Sequence, residues 1–308
     1  MNIRTLGWIA LCCVAACNPQ PEVEVRTLIG SKNICIVTAF SVDHANYGLL
    51  AAANHMNYAR LHGYTSRSYS GRISDDLFVD PLRGDLSTLR GGGLYWQKLV
   101  AVRNLLQGEG SSAPSCNWVM WVDADVIFTN PDLLLETLIE EANGSLQQTP
   151  NNVTAAADTQ VILSREEAGE APQLNAGVFL VKNSPQGRNF IDSIIASYPA
   201  YKDKSWPEQD SMYDLVAPEL GEPAPQARRF SATMLPQRRL NAFYNPDIKF
   251  GPTAAWQPGD FIAHLVNARP ATRARRLRSL LQPNGACDDG AWEALQPAQP
   301  RAGSDSGE

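Results

Sequence analysis

Asp123 and Asp125 stand one alanine apart at the end of an apolar run, in the stretch WVMWVDADVIFTNPD (118–132). In an extended strand alternate side chains share a face, so the two carboxylates project the same way if extension persists. Ligand sites in open α/β sheets lie beyond the carboxyl ends of strands, which is where this run gives out. Two ionised aspartates held together repel unless a cation sits between them. A hard divalent ion takes oxygen ligands and can grip substrate phosphates as well. Taken alone, the spacing also fits plain turn chemistry, with Asp125 and Asn130 capping a turn and Asp123 solvated.

His264 lies near the end of a second apolar run, PGDFIAHLVNAR (258–269). A lone histidine there is ordinarily a satisfied core or surface residue. If it reaches the two acids, the set becomes two carboxylates and an imidazole, which suits manganese better than magnesium or calcium. Arg269, five residues on, has a guanidinium fork able to meet a phosphate.

The elements needed to hold such a site are legible. NICIVTAF (33–40) reads as a buried strand, and YGLLAAANHMNYARLHGY (47–64) as a helix stopped at Gly63. GLYWQKLVAVRNLLQ (93–107) is an amphipathic helix that precedes the acid-bearing strand. After the NPD turn comes a helix from Leu133, then strands over 154–163 and 174–183. Helices over 187–197 and from Pro207, and short strands within 228–244 and 259–268, follow. Alternation of this kind predicts an α/β fold with a mostly parallel central sheet flanked by helices. Residues 74–85 read as loop and 217–227 as a Pro/Ala-rich connector. The five arginines of ARPATRARRLRSLL (268–281) predict a solvated basic helix, with contact to an acidic membrane surface or acceptor as the other reading.

The chain has 308 residues, 44% of them hydrophobic and 19% charged, enough for one large core. A net charge of -6 argues against a nucleic-acid partner. No run reaches the roughly 20 apolar residues of a membrane span. Residues 1–17 have the outline of a secretory signal, and Val14-Ala15-Ala16-Cys17 also fits a bacterial lipobox; a short signal anchor is a third reading. Residues 18–32 read as a linker, 33–281 as one domain and 282–308 as a disordered tail. Outside the leader, Cys35, Cys116 and Cys287 are odd in number and lack finger or redox spacing, so no disulfide framework is expected. Asn143 and Asn152 head N-glycosylation triplets.

Seven stretches, in order, resemble one family: NHMNYARLHGY (54–64), YWQKLVAVRNLL (95–106), WVMWVDADVIFTNPD, LNAGVFLVKNS (174–184), WPEQDSM (206–212), PQRRLNAFY (236–244) and GDFIAH (259–264). The chain is similar over about residues 33–270 to glycosyltransferase family 34, the galactosyl-, mannosyl- and xylosyltransferases of fungal and plant glycans. The resemblance implies a GT-A (Rossmann-like) fold and transfer of a hexose or pentose from a UDP- or GDP-sugar to a glycan or glycoprotein acceptor, with anomeric retention. It implies Mn2+ (or Mg2+) held by Asp123, Asp125 and His264. Donor contacts fall to Thr38, Lys98, Asn175, Gly177 and Arg269, and catalytic roles to Gln209 and Asp210. By resemblance the protein is membrane-associated and works in the Golgi lumen; the lipobox reading would instead make it a bacterial lipoprotein.

The sequence departs from the family pattern after the histidine, where Asn267 and Ala268 replace a usual glycine and cysteine, and in the order of the acids around Gln209 and Asp210. Two other readings use the same acids. A haloacid-dehalogenase-type phosphohydrolase also ends a strand in Asp-x-Asp, but wants Thr or Val where this chain has Ile127. A secreted sugar-binding domain would keep the fold without turnover.

Overall fold

The computed structural model describes residues 24–71, 92–108, 116–145, 158–168, 174–216 and 230–281. The leader, the tail, the loop at 74–85, the connector at 217–227 and Asn152 lie outside the described residues.

β1 (Glu24–Leu28) occupies part of the segment read as linker and forms a sheet edge. β2 (Ile34–Phe40) follows, then α1 (Ala45–His62). The helix ends where Gly63 turns left-handed at φ 73°, its N–H closing on Ala59 O, a conformation that costs glycine nothing. β3 (Thr65–Ser70) lies parallel to β2. α2 (Gly92–Gln107) leads to β4 (Trp118–Val122), the run that ends in the acids, and β5 (Val126–Phe128) resumes beyond them. The chain continues through α3 (Leu135–Ser145), β6 (Val161–Arg165), β7 (Leu174–Lys182) and α4 (Pro185–Ala196). Then come α5 (Tyr198–Tyr201), α6 (Pro207–Val216), β8 (Ala232–Leu235), α7 (Gln237–Leu240) and β9 (Ala242–Phe243). β10 (Ile262–His264) and α8 (Pro270–Leu281) complete it.

Seven strands form one sheet in the order β1-β3-β2-β4-β7-β6-β8, and β5-β10-β9 form a small second sheet. β4 has no polar alternation because both of its faces are covered: Trp118, Met120 and Val122 enter the core beneath α1 and α3, while Val119 and Trp121 enter the core beneath α2, α4 and α6. A sheet covered on both faces needs apolar residues at every position. The main sheet is mixed rather than mostly parallel, because β7 runs antiparallel to both β4 and β6. That reversal matters to the site: it lays the start of β7 beside the end of β4.

A disulfide joins Cys35 to Cys116, against the expectation from cysteine count. The pair is invisible in linear spacing, since it depends on β2 and β4 being parallel neighbours with Cys116 just ahead of β4. Both residues are buried. The bond closes a sequence separation of 81 residues, so the double variant Cys35→Ala/Cys116→Ala is expected to lose about 2–5 kcal/mol of unfolding free energy. Urea denaturation measures this, and a loss below about 1 kcal/mol would show that the cross-link contributes little.

Candidate active site

The two acids sit between β4 and β5, and the pairing of neighbouring strands decides what meets them. Asp123 N–H donates to Gly177 O on β7 at 2.8 Å. β10 pairs antiparallel with β5 so that His264 stands opposite Val126, and Leu265 N–H donates to Asp125 O at 2.9 Å. This register carries a distant imidazole to the acids: His264 Nε2 lies 3.4 Å from Asp125 Oδ1. One ligand atom from each of Asp123, Asp125 and His264 falls within 4.8 Å of the others.

α1 holds the strand downstream of the acids. Asn54 Nδ2 donates to Phe128 O at 3.1 Å and its Oδ1 accepts from Phe128 N–H at 2.7 Å. His55 Nε2 bonds Val126 O at 2.8 Å, and burial pushes this imidazole down to about 4, so it is neutral and donates. Tyr58 OH donates to Leu133 O at 2.5 Å, His62 Nε2 meets Pro131 O at 2.6 Å, and Tyr64 OH donates to Glu136. The NHMNYARLHGY block therefore clamps the backbone and first helix that follow the acid pair. Its polar side chains satisfy an edge strand and a turn that would otherwise leave backbone groups unmade.

Each acid has its own cation. Lys98, buried on α2, lies 3.3 Å from Asp123 Oδ1 and 3.0 Å from Glu208 Oε1, and donates to Ala176 O at 3.3 Å. Burial works against its charge, yet Asp123 and Glu208 outweigh that and hold the ammonium above its ordinary value. Lys98 is thus a buried counterion rather than a solvated surface lysine. Trp121 Nε1 donates to the same Asp123 oxygen at 2.7 Å. Asp125 Oδ2 faces Arg273 Nη1 at 3.3 Å, and Arg273 also bonds Tyr47 OH and Ala268 O. Burial pushes Asp123 up, Lys98 opposes it, and the adjacent Asp125 charge adds to the rise. Burial acts on Asp125 too, but the groups that face it, Arg273 the fixed cation among them, outweigh burial and hold that carboxyl below its usual range.

Other sequence-nominated residues fall at different distances from this centre. Thr38 on β2 is buried, and its Oγ1 has no hydrogen-bond partner among the described residues. Asn175 bonds Gly177 N–H, Asn241 and Glu166 at the start of β7. A Cβ on Gly177 would lie 2.4 Å from His264 Cε1 and 2.9 Å from Asn175 Oδ1, so its missing side chain makes room for the imidazole. Gly177→Ala is accordingly expected to push the ring off the acids, lowering stability by about 1–3 kcal/mol. It should reduce kcat/KM on the order of 100-fold, as displacement of a positioned group does. Melting curves and steady-state kinetics check both numbers.

Gln209 Oε1 accepts from Ala176 N–H at 2.9 Å, tying α6 to β7. Asp210 is raised by burial, with Lys204, Asp214 and Glu208 as its charged neighbours; Glu208, two positions earlier, is the α6 acid that joins Lys98. Arg269 is exposed just before α8, while Arg273, one turn on, reaches Asp125. α8 is not a solvated basic helix: Leu277, Leu280 and Leu281 pack with Tyr47, Leu50 and Ala51 of α1, and Arg276 is buried against Asn245 and Asp247. Asn267 is exposed with φ 53°, a left-handed position that asparagine tolerates and glycine favours. That backbone need accounts for a glycine being usual at this place.

Glu208, Asn241 and Arg273 were not singled out in sequence. The spacing of Arg273 from Arg269 was the one available signal, since i and i+4 share a helix face.

The donor set of two half-buried carboxylates and one buried imidazole, all convergent, fits a divalent cation. Comparisons with known proteins agree with the fold. The chain is 28% identical over 205 residues to the probable alpha-1,2-galactosyltransferase gmh2 of Schizosaccharomyces pombe, covering 59% of this chain and 54% of that one. It is 27% identical over 182 residues to xyloglucan 6-xylosyltransferase 4 of Arabidopsis thaliana, covering 57% of this chain and 29% of the relative. The chain thus spans about half or less of the length of these curated relatives. Among solved structures, a glycosyltransferase involved in glycosylation of the major capsid of PBCV-1 superposes with TM-score 0.55 at 16% identity, covering 80% of this chain and all of that one. The fold is the GT-A α/β fold, with a mixed central sheet flanked by helices. The profile of the galactosyl transferase GMA12/MNN10 family matches residues 30–275, which leaves the phosphohydrolase reading without support, and the chain belongs to that family.

Proposed function

We propose that this protein is a metal-dependent, retaining glycosyltransferase that moves a hexose or pentose from a UDP- or GDP-sugar to a glycan or glycoprotein acceptor. The observation that carries this reading is the convergence of Asp123, Asp125 and His264 at the carboxyl end of β4. Those three residues would hold Mn2+, with Mg2+ as the alternative. A divalent ion held there supplies positive charge to a leaving diphosphate.

The chain's own groups do the rest. Asp123 offers the carboxylate oxygen not taken by Trp121 and Lys98, while Lys98 opposes the upward push of burial on that acid. Arg273 stands beside Asp125 and supplies a second cation for the diphosphate, with Arg269 on the exposed turn before it. Gln209 braces the backbone of β7 behind Asn175 and Gly177, the strand expected to lie beside the donor sugar. The charged neighbours of Asp210 are Lys204, Asp214 and Glu208, which favours same-face attack over a covalent intermediate on that aspartate. In such an attack the departing phosphate oxygen takes the acceptor's proton, and the new glycosidic bond forms on the face the diphosphate leaves.

The buried disulfide fits an oxidising compartment, in keeping with a non-cytosolic place. No helix among the described residues is long and apolar enough to cross a membrane. Mass spectrometry of the mature N-terminus separates lipidated Cys17 from a Golgi anchor. For activity, a panel of nucleotide sugars is incubated with the pure protein with and without Mn2+, and nucleotide release is scored. Release from at least one donor only when Mn2+ is present is the expected result. Binding without release would point to a sugar-binding domain, and neither binding nor release would sink the transferase reading.

A further inference from the structure

We propose that Asn241 is a positioning residue that fixes the tautomer of His264, with the proton on Nδ1 and the Nε2 lone pair turned to the cation site. This rests on the metal-dependent reading above and adds to it a residue outside the three ligands.

Gly177 N–H can only donate, and it lies 2.9 Å from Asn175 Oδ1, so that oxygen is an acceptor. The other end of the same amide agrees, because Asn175 Nδ2 donates to Glu166 Oε2 at 3.1 Å. The Asn241 atom that approaches Asn175 Oδ1 at 2.7 Å must therefore be its donor, Nδ2. That leaves Asn241 Oδ1 facing His264 Nδ1 at 2.9 Å, and an amide oxygen can only accept. The proton is on Nδ1.

The consequence lies on the far side of the ring. Nε2 sits 3.4 Å from Asp125 Oδ1. Without Asn241 the stable neutral ring would be the other tautomer, whose Nε2–H donates to Asp125 and blocks the ligand position. With Asn241 in place, a lone pair and a carboxylate face each other, an arrangement that a cation between them relieves. The ring cannot escape sideways, because Gly177 lies against Cε1 and Phe243 meets it edge-on at 5.7 Å between centroids. Asn241 is itself fully buried and capped into the fold, its N–H donating to Gln237 O at 2.7 Å. Groups that orient a metal-binding imidazole in this way typically change metal affinity 10- to 100-fold when removed.

The test reads the ring directly. The chain has only four histidines, so long-range 1H–15N spectra resolve their ring nitrogens, with His264→Ala identifying the signal. At about pH 8.5, where an ordinary imidazole is neutral, metal-free wild-type protein should show a pyrrole-like Nδ1 and a pyridine-like Nε2 at His264. Asn241→Leu should convert the ring to the Nε2–H form and weaken Mn2+ binding, followed by the free-ion EPR signal, by about 10- to 100-fold. Asn241→Asp, which keeps an acceptor toward Nδ1, should retain the wild-type tautomer and bind Mn2+ within about tenfold of wild type. A merely structural asparagine would lower the melting temperature without moving the ring proton. An Nε2–H ring in wild-type protein overturns the proposal, and so does an Asn241→Leu variant with unchanged tautomer and Mn2+ affinity. If that variant does not fold, the wild-type spectrum decides alone. An Nδ1–H ring in wild-type protein that binds no Mn2+ would support the tautomer assignment and sink the metal reading instead.

Discussion

Asp125→Ala is expected to abolish Mn2+-dependent nucleotide release, a loss on the order of 1,000-fold or more in kcat/KM, equivalent to about 4 kcal/mol of transition-state stabilisation. The size follows from where this carboxylate stands. One oxygen faces His264 and the other faces Arg273, so it links the imidazole arm of the site to its arginine arm. The fold should survive, because each neighbour has another partner. Arg273 keeps Tyr47 OH and Ala268 O, and His264 keeps Asn241. The melting temperature of the metal-free variant should thus stay close to wild type while added Mn2+ no longer raises it. Undiminished Mn2+-dependent donor binding in a folded Asp125→Ala protein would contradict the metal assignment.

Lys98→Met should act in the opposite way, on stability first. Its ammonium is almost fully buried and is the cation shared by Asp123 and Glu208. Breaking a buried ion pair by removing one partner typically costs 3–5 kcal/mol, because the remaining charges keep their desolvation penalty and lose their counterion. A loss of about that size is expected for metal-free protein in urea denaturation. Two additions should return part of it. Glu208→Gln in the Lys98→Met background removes one stranded carboxylate, and saturating Mn2+ supplies Asp123 with another positive partner. A loss below about 1 kcal/mol would mean that the acids adapt by binding protons or water, and that Lys98 is not the counterion described here.

Much of this fold is legible in the sequence. Apolar runs bounded by turn residues located β2, β4, β7 and the helices α1 and α2, and Gly63 marked a stop that the left-handed backbone explains. These are local properties, set by side-chain periodicity and by which residues tolerate which backbone angles. The NHMNYARLHGY block carries part of the family resemblance, but its sequence does not show what it does. Its physical role is to bond the backbone after the acids, and a bond between Asn54 and Phe128 cannot be inferred from either residue alone.

By itself, the sequence determined that a buried strand ends in two carboxylates and that a histidine closes a later apolar run. Only the tertiary structure decided that they meet. Antiparallel pairing of β10 with β5 sets His264 beside Asp125, and reversal of β7 sets Gly177 beside Asp123. The same holds for the disulfide, for Lys98 between Asp123 and Glu208, and for Arg273 rather than Arg269 at the acid pair. Strand order and register are set by burial summed over the whole sheet, and a charge finds its partner only after that sum is settled.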